Sequence, residues 1–165
     1  MHFTCPKCLR PLTKPNSWHY CQRISIDSLF EGKSAELKEV FNELLKKVSS
    51  WEGVSASATK TCIVFIAAKT FLVVKVMKRE LDLKFVLPEK RTDFPIYKTA
   101  KYGNKLEHYI RLESLEDLDG DVFRFIRDSY ELMKEWTLLV AFGIKKLLSH
   151  RRVDRKITNG KDDQP

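Results

Sequence analysis

The sequence predicts an α+β fold: one helix, an antiparallel sheet of about four to five strands and a C-terminal helix or helices, preceded by a small cysteine-bearing knuckle. Three observations predict it. Apolar residues recur at helical spacing after Ser34 and again after Asp117. Between those stretches lie short runs rich in β-branched and aromatic residues, joined by two-residue connections. Ahead of both, Cys5, Cys8 and Cys21 crowd into one short segment.

Each element has its own signal. Residues 1–23 hold Pro6, Pro11, Pro15 and Asn16 and few aliphatics, so they cannot bury a core and need a staple. Leu37, Val40, Phe41, Leu44, Leu45 and Val48 form one helical face, with Ser34 as N-cap and Gly53 just past the end. Runs 61–67, 71–77 and 81–87 read as strands of a meander. The first two are apolar on both faces, as central strands are. The third alternates, with Glu80, Asp82 and Lys84 on a wet face, and Pro88 ends it. Residues 88–104 read as a long loop carrying bases and rings. Residues 105–112 form a further strand with Leu106, His108, Ile110 and Leu112 on one face. Ser114 and Asp117 resemble a capping box that opens a second helix, whose apolar face holds Leu115, Leu118, Val122, Phe125, Ile126 and Met133. A further helix, or its continuation, runs to about His150.

The chain of 165 residues suits one domain with an appendage. The predicted division is a knuckle over 1–23, the α+β domain over 24–135, a helical extension over 136–150 and a basic polar tail, disordered, over 151–165. Composition excludes a disulfide-stapled miniprotein, a collagen-like chain and a wholly disordered one. The net charge of +8 is unevenly spread. Residues 1–23 carry four bases and no acid, 59–112 carry a net +7 and the tail from 137 a net +4, while 113–136 carry a net −5. Clustered bases attract phosphate, and that attraction weakens with salt. No apolar run approaches the roughly 20 residues that span a bilayer, so no transmembrane insertion is expected. No export signal precedes the knuckle, and a cytoplasmic location is expected.

In a reducing compartment clustered cysteines are metal ligands sooner than disulfide partners. Cys5 and Cys8 form a C-x2-C pair, and His19 and Cys21 supply two more donors after a turn-rich interval. Four such donors satisfy a tetrahedral Zn2+ and close its shell, so the expected zinc is structural and supplies the segment's folding energy. Cys62, in a strand run, is expected to act as a small core hydrophobe.

The stretches Phe3-Thr4-Cys5-Pro6-Lys7-Cys8 and Asn16-Ser17-Trp18-His19-Tyr20-Cys21 resemble the N-terminal zinc knuckle that precedes an uncharacterised bacterial domain, the domain-of-unknown-function family numbered 5655. Further landmarks are Leu29-Phe30-Glu31-Gly32-Lys33, Thr59-Lys60-Thr61, Phe71, the strand ending at Pro88, Tyr109-Ile110-Arg111-Leu112 and Ser114 to Asp119. The resemblance covers about residues 3–135 and implies no established activity. Leu9 departs from the pattern, standing where such a knuckle often has glycine.

No catalytic residue is assigned. Asp82 and Lys84 are similar to the acid-x-Lys element of metal-dependent nucleases, but runs 61–67 and 71–77 offer no partner acid. His108 reads as a satisfied core histidine. The function expected is a non-catalytic, zinc-stabilised binding module that contacts DNA or RNA, or a nucleic-acid-associated protein. Its candidate contact residues are Lys60, Lys84, Lys90, Arg91, Lys98, Lys101 and Arg111, joined by Lys75 and Lys105 and interleaved with Phe94, Tyr97 and Tyr102. The alternative is a protein-interaction or small-ligand domain without nucleic acid. Residues 136–150, from Trp136 to Leu148 strongly apolar, are expected to pack on the domain's own core, with a homodimer contact as the second reading and membrane-surface binding, helped by Lys145, Lys146, Arg151 and Arg152, as the third.

Overall fold

The computed structural model describes residues 3–9, 11–12, 14–15, 21 and 24–141, with Pro11 and 136–141 described by backbone alone. Two short strands, β1 (Phe3–Thr4) and β2 (Pro11–Leu12), pair antiparallel and carry the knuckle. A 3-10 turn, Asp27–Phe30, leads into helix α1 (Ala35–Ser49). Ser34 caps α1, its hydroxyl accepting from the Leu37 N–H at 3.2 Å. Such a cap is worth about 1 kcal/mol. The chain leaves α1 through Gly53, whose φ of +68° is the left-handed conformation that glycine adopts without strain.

Six strands follow: β3 (Ser55–Ala58), β4 (Ile63–Ile66), β5 (Thr70–Val76), β6 (Leu81–Leu87), β7 (Lys98–Tyr102) and β8 (Lys105–Leu112). They form one antiparallel sheet in the order β3-β4-β5-β6-β8-β7. The sheet thus has more strands than the four to five expected. Both additions are edge strands with weak signals. β3 reads Ser-Ala-Ser-Ala, without a β-branched or aromatic residue, and β7 reads Lys-Thr-Ala-Lys-Tyr inside the segment that looks like a loop. β8 inserts between β6 and β7, so residues 88–97 cross over to reach the far edge.

Helix α2 (Gly120–Ala141) closes the described chain. The capping box forms as expected, but on a 3-10 turn, Leu115–Asp117. The helix itself starts three residues later, where Asp119 Oδ1 accepts from the Val122 N–H at 2.9 Å. The residues from 142 onward, and with them most of the extension and the tail, lie outside the described residues.

Both helices pack on one side of the sheet. Phe41 of α1 meets Phe65 of β4, and Phe125 of α2 meets Phe85 of β6. Strand residues on that side, among them Leu83, Phe85, His108 and Ile110, are fully buried. A β-bulge beside Phe65 and Ile66 turns Phe71 inward as well, into a ring cluster with Trp51 and Tyr130. Ser129 of α2 stitches the layers together. Its hydroxyl donates to the Phe71 carbonyl at 2.8 Å and accepts from the Val86 N–H at 3.1 Å.

The crossover is pinned on the same side. The Arg91 N–H donates to Nε2 of His108 at 3.0 Å, and the Thr99 hydroxyl donates to the Arg91 carbonyl at 2.6 Å. Because Nε2 accepts, the neutral ring carries its proton on Nδ1, 3.1 Å from the Leu106 carbonyl. His108 is the satisfied core histidine the sequence predicts. Cys62 is not a core residue: it lies half-buried in the β3–β4 turn, its Sγ 3.1 Å from the Thr59 hydroxyl.

Neither helix packs on the other side of the sheet, where Tyr97 at the end of the crossover lies against Tyr109 and Arg111. The apolar residues of β4 and β5 that point there, Val64, Ile66 and Val73, are only half-buried. Central strands read as apolar on both faces are therefore covered, in the described residues, on one.

Candidate functional site

The knuckle is a tight loop between β1 and β2. The Leu9 N–H donates to the Cys5 carbonyl at 2.8 Å, and Leu9 takes φ +59° where glycine would be unstrained. This is the physical meaning of the departure at Leu9: the turn keeps its shape at a conformational cost of roughly 1 kcal/mol. The loop brings the thiols of Cys5 and Cys8 together and sets Cys21 against them. The three sulfurs lie within 4.8 Å of one another, with Cys5 and Cys21 3.5 Å apart.

The electrostatics suit a cation. The backbone N–H groups of Cys8 and Lys7 lower the Cys5 thiol to about 6, against the effect of burial. Cys21, bonded to the Cys5 sulfur, is pushed up to about 11. A bound cation would remove that conflict by holding all the sulfurs as thiolates. Three converging sulfurs in a segment without a core can bind a metal ion. His19, the fourth ligand expected from the sequence, lies outside the described residues, as do Arg10 and Trp18.

The open face of the sheet is the second feature. Strand register lays Val64, Val73, Lys84, Tyr109 and Lys98 side by side across five strands. The row changes from apolar at β4 and β5 to cationic and aromatic at β6, β8 and β7. The next row sets Lys75 beside Asp82 and Asp82 beside Arg111. Lys105 and Tyr102 pair at the end of the β7–β8 hairpin.

These side chains form a connected layer. Lys84 Nζ lies 3.2 Å from Glu107, and the Tyr109 hydroxyl donates to the same carboxylate at 2.9 Å. Lys98 Nζ sits 4.9 Å from the Tyr109 ring centre. Arg111 pairs with Glu80 at 3.2 Å and lies 4.2 Å over the Tyr97 ring, whose hydroxyl donates to Asp82 at 2.8 Å. Burial, followed by the bond to Glu107, pushes the Tyr109 hydroxyl up to about 12. Five cations against three carboxylates leave this layer net positive.

The seven candidate contact residues do not all meet. Lys84, Lys98 and Arg111 share the open face, with Lys75 and Lys105. Lys60 sits exposed in the β3–β4 turn at the opposite edge of the sheet. Lys101 alternates to the helix side of β7. Lys90 and Arg91 belong to the crossover, where Arg91 is bonded to Asp93 at 2.9 and 2.8 Å. Charge counting could not separate these groups, because the sequence does not show which strand neighbours β6. Of the loop rings, Tyr97 is pinned to the sheet, whereas Phe94 is 89% exposed and Tyr102 73% exposed.

Elsewhere the surface turns acidic. A hollow of about 280 Å³ beside α2 is lined by Glu89, Asp128, Glu131 and Glu135 together with Arg91. Another of about the same volume, at Phe94 and Pro95, holds Glu116, Asp117 and Asp119 beside Arg111. Neither suits a polyanion. Both members of the acid-x-Lys pair are engaged. Asp82 is bonded to Tyr97 and Lys84 to Glu107. Among the described residues the cysteine trio is the one cluster of three or more groups at metal-holding distance.

Fold and site together define a small α+β domain with a one-sided sheet and a thiol cluster ahead of it. Residues 26–133 match the family model described as Domain of unknown function (DUF5655), and the chain belongs to that family. The match begins after Cys21, so the cysteine cluster precedes it. No curated protein and no solved structure matches the chain.

Proposed function

We propose that this chain is a non-catalytic binding module in which Zn2+, held by Cys5, Cys8, His19 and Cys21, orders residues 1–23 and the open sheet face contacts nucleic acid. The observation that carries the reading is the row Lys84–Tyr109–Lys98 with Lys75, Arg111 and Lys105 around it. Both helices lie on the other side, so a polyanion can reach these cations and rings across a broad surface. Cations supply a salt-dependent attraction that does not depend on sequence, and rings add stacking.

A gel shift with DNA and RNA at low salt tests the reading. Binding should weaken steadily as salt rises, and Lys84→Gln/Lys98→Gln/Arg111→Gln should weaken it about tenfold or more, since each lost phosphate contact removes a share of the counterion-release term. Absence of binding at low salt, or full affinity in the triple variant, would overturn it.

A second reading rests on the other half of the face. Val64, Ile66 and Val73 form an apolar patch at β4 and β5, which favours a protein partner and fits a domain that binds no nucleic acid.

A further inference from the structure

β7 is the last strand of the sheet and has a strand on one side only. Gly103 and Asn104 form its two-residue turn to β8, where Tyr102 pairs with Lys105. The residues flanking such a turn bond to each other, and along an antiparallel ladder the bonding direction then alternates. Lys98, Ala100 and Tyr102 therefore direct their backbone groups at β8, while Thr99 and Lys101 turn theirs outward. Among the described residues the crossover bonds to no backbone group of Thr99 or Lys101. It meets β7 through the Thr99 hydroxyl, on the helix side of the sheet. Such an edge accepts an added strand, and here charge decides which one. β7 reads Lys-Thr-Ala-Lys-Tyr, without a carboxylate. Lys98 lies on the open face and Lys101 on the helix side, both exposed. A second copy of β7 would crowd four ammonium groups into one ribbon, so the edge resists self-pairing. An acidic strand meets no such barrier.

We infer that β7 docks an acidic extended peptide as a seventh strand, its backbone bonded to Thr99 and Lys101 and its carboxylates beside Lys98 and Lys101. This goes beyond the nucleic-acid reading and does not depend on it. The register sets a pattern for the partner. Lys98 and Lys101 are three apart along the strand and so face opposite ways. The docked segment must carry its two acids three apart as well, one over the open face and one on the helix side. Ala100 is small and leaves room opposite it for a larger side chain, beside the Tyr102 ring, which is 73% exposed. An extended segment with acid-x-x-acid spacing is thus the chemistry this edge fits.

The test is fluorescence anisotropy at low salt with the full chain and a labelled, end-capped peptide, Thr-Val-Glu-Thr-Val-Glu-Val-Thr, together with hydrogen exchange read by mass spectrometry. The peptide should bind, and a version with Gln for Glu should bind about threefold or more weaker, two cross-strand charge pairs being worth that much. Lys98→Glu/Lys101→Glu should abolish binding of the acidic peptide and restore it for a version with Lys for Glu. Amide exchange over 98–102 should slow on binding, while exchange over Ser55–Ala58, at the opposite edge, stays as it was. Equal affinity for the Glu and Gln peptides, binding that leaves exchange over 98–102 unchanged, a charge swap that restores nothing, or no binding at all overturns the inference. Oligothymidylate slowing exchange over 98–102 where the peptide does not would assign this edge to nucleic acid and overturn it too. None of these results bears on the gel shift that tests the open face.

Discussion

Ser129 carries more of the architecture than its size suggests. Its hydroxyl serves one carbonyl on β5 and one N–H on β6, both deep under α2. Ser129→Ala would leave these two buried groups without their partner, at a cost of about 1–3 kcal/mol. Urea denaturation should show this as a lower midpoint at unchanged slope. Neither Ser129 nor its partners stand out in the sequence, because the serine matters only through a bulge that periodicity does not reveal. His108 is the contrasting case. Its place among Leu106, Ile110 and Leu112 is legible, while its task, receiving the Arg91 N–H from a crossover, is not. Burial holds its pKa below the ordinary 6.5, with Arg91 adding to the effect and Asp93 opposing it. The unfolded chain therefore takes up the proton first as pH falls. His108 should cost no stability above about pH 6.5 and progressively more below it, until the folded ring itself protonates. Thermal melts of the protein and of His108→Gln across that range should diverge in slope.

Among the elements, α1 was the most legible, because cap, stripe and terminal glycine all agree. The C-terminal half was read less well. A genuine capping box misplaces the start of α2 by one turn, since it closes a 3-10 turn that the helix then follows. The edge strands β3 and β7 were illegible for a shared reason: small or polar residues suffice where one side of a strand is wet and one edge unpaired. The knuckle is an element of another kind. Two two-residue strands and three converging sulfurs offer little apolar surface of their own, so the proposed ion is expected to supply much of the knuckle's stability. Chelating the proposed zinc should open this segment and leave the α+β domain folded. Trypsin should then cut after Lys7 while a fragment containing 26–133 survives. Loss of that fragment at the same rate would show that the knuckle supports the domain.

At the scale of the whole molecule, the arrangement is asymmetric: two helices on one side of six strands, charge and rings on the other. The α+β class was legible from the order of the runs. The pairing of β6 with β8 was not, since residues 81 and 112 meet only through a crossover. That pairing builds the proposed contact surface, because it sets Lys84 beside Tyr109 and Asp82 beside Arg111. The alternation of side chains has one more consequence. Along β6 the buried residues, Leu81, Leu83, Phe85 and Leu87, alternate with Asp82 and Lys84, which face outward. Stability and the proposed contacts are thus written on alternate letters of the same strand. A substitution at an outward position of β6 can therefore change the charge of that face without disturbing the residues packed beneath the helices.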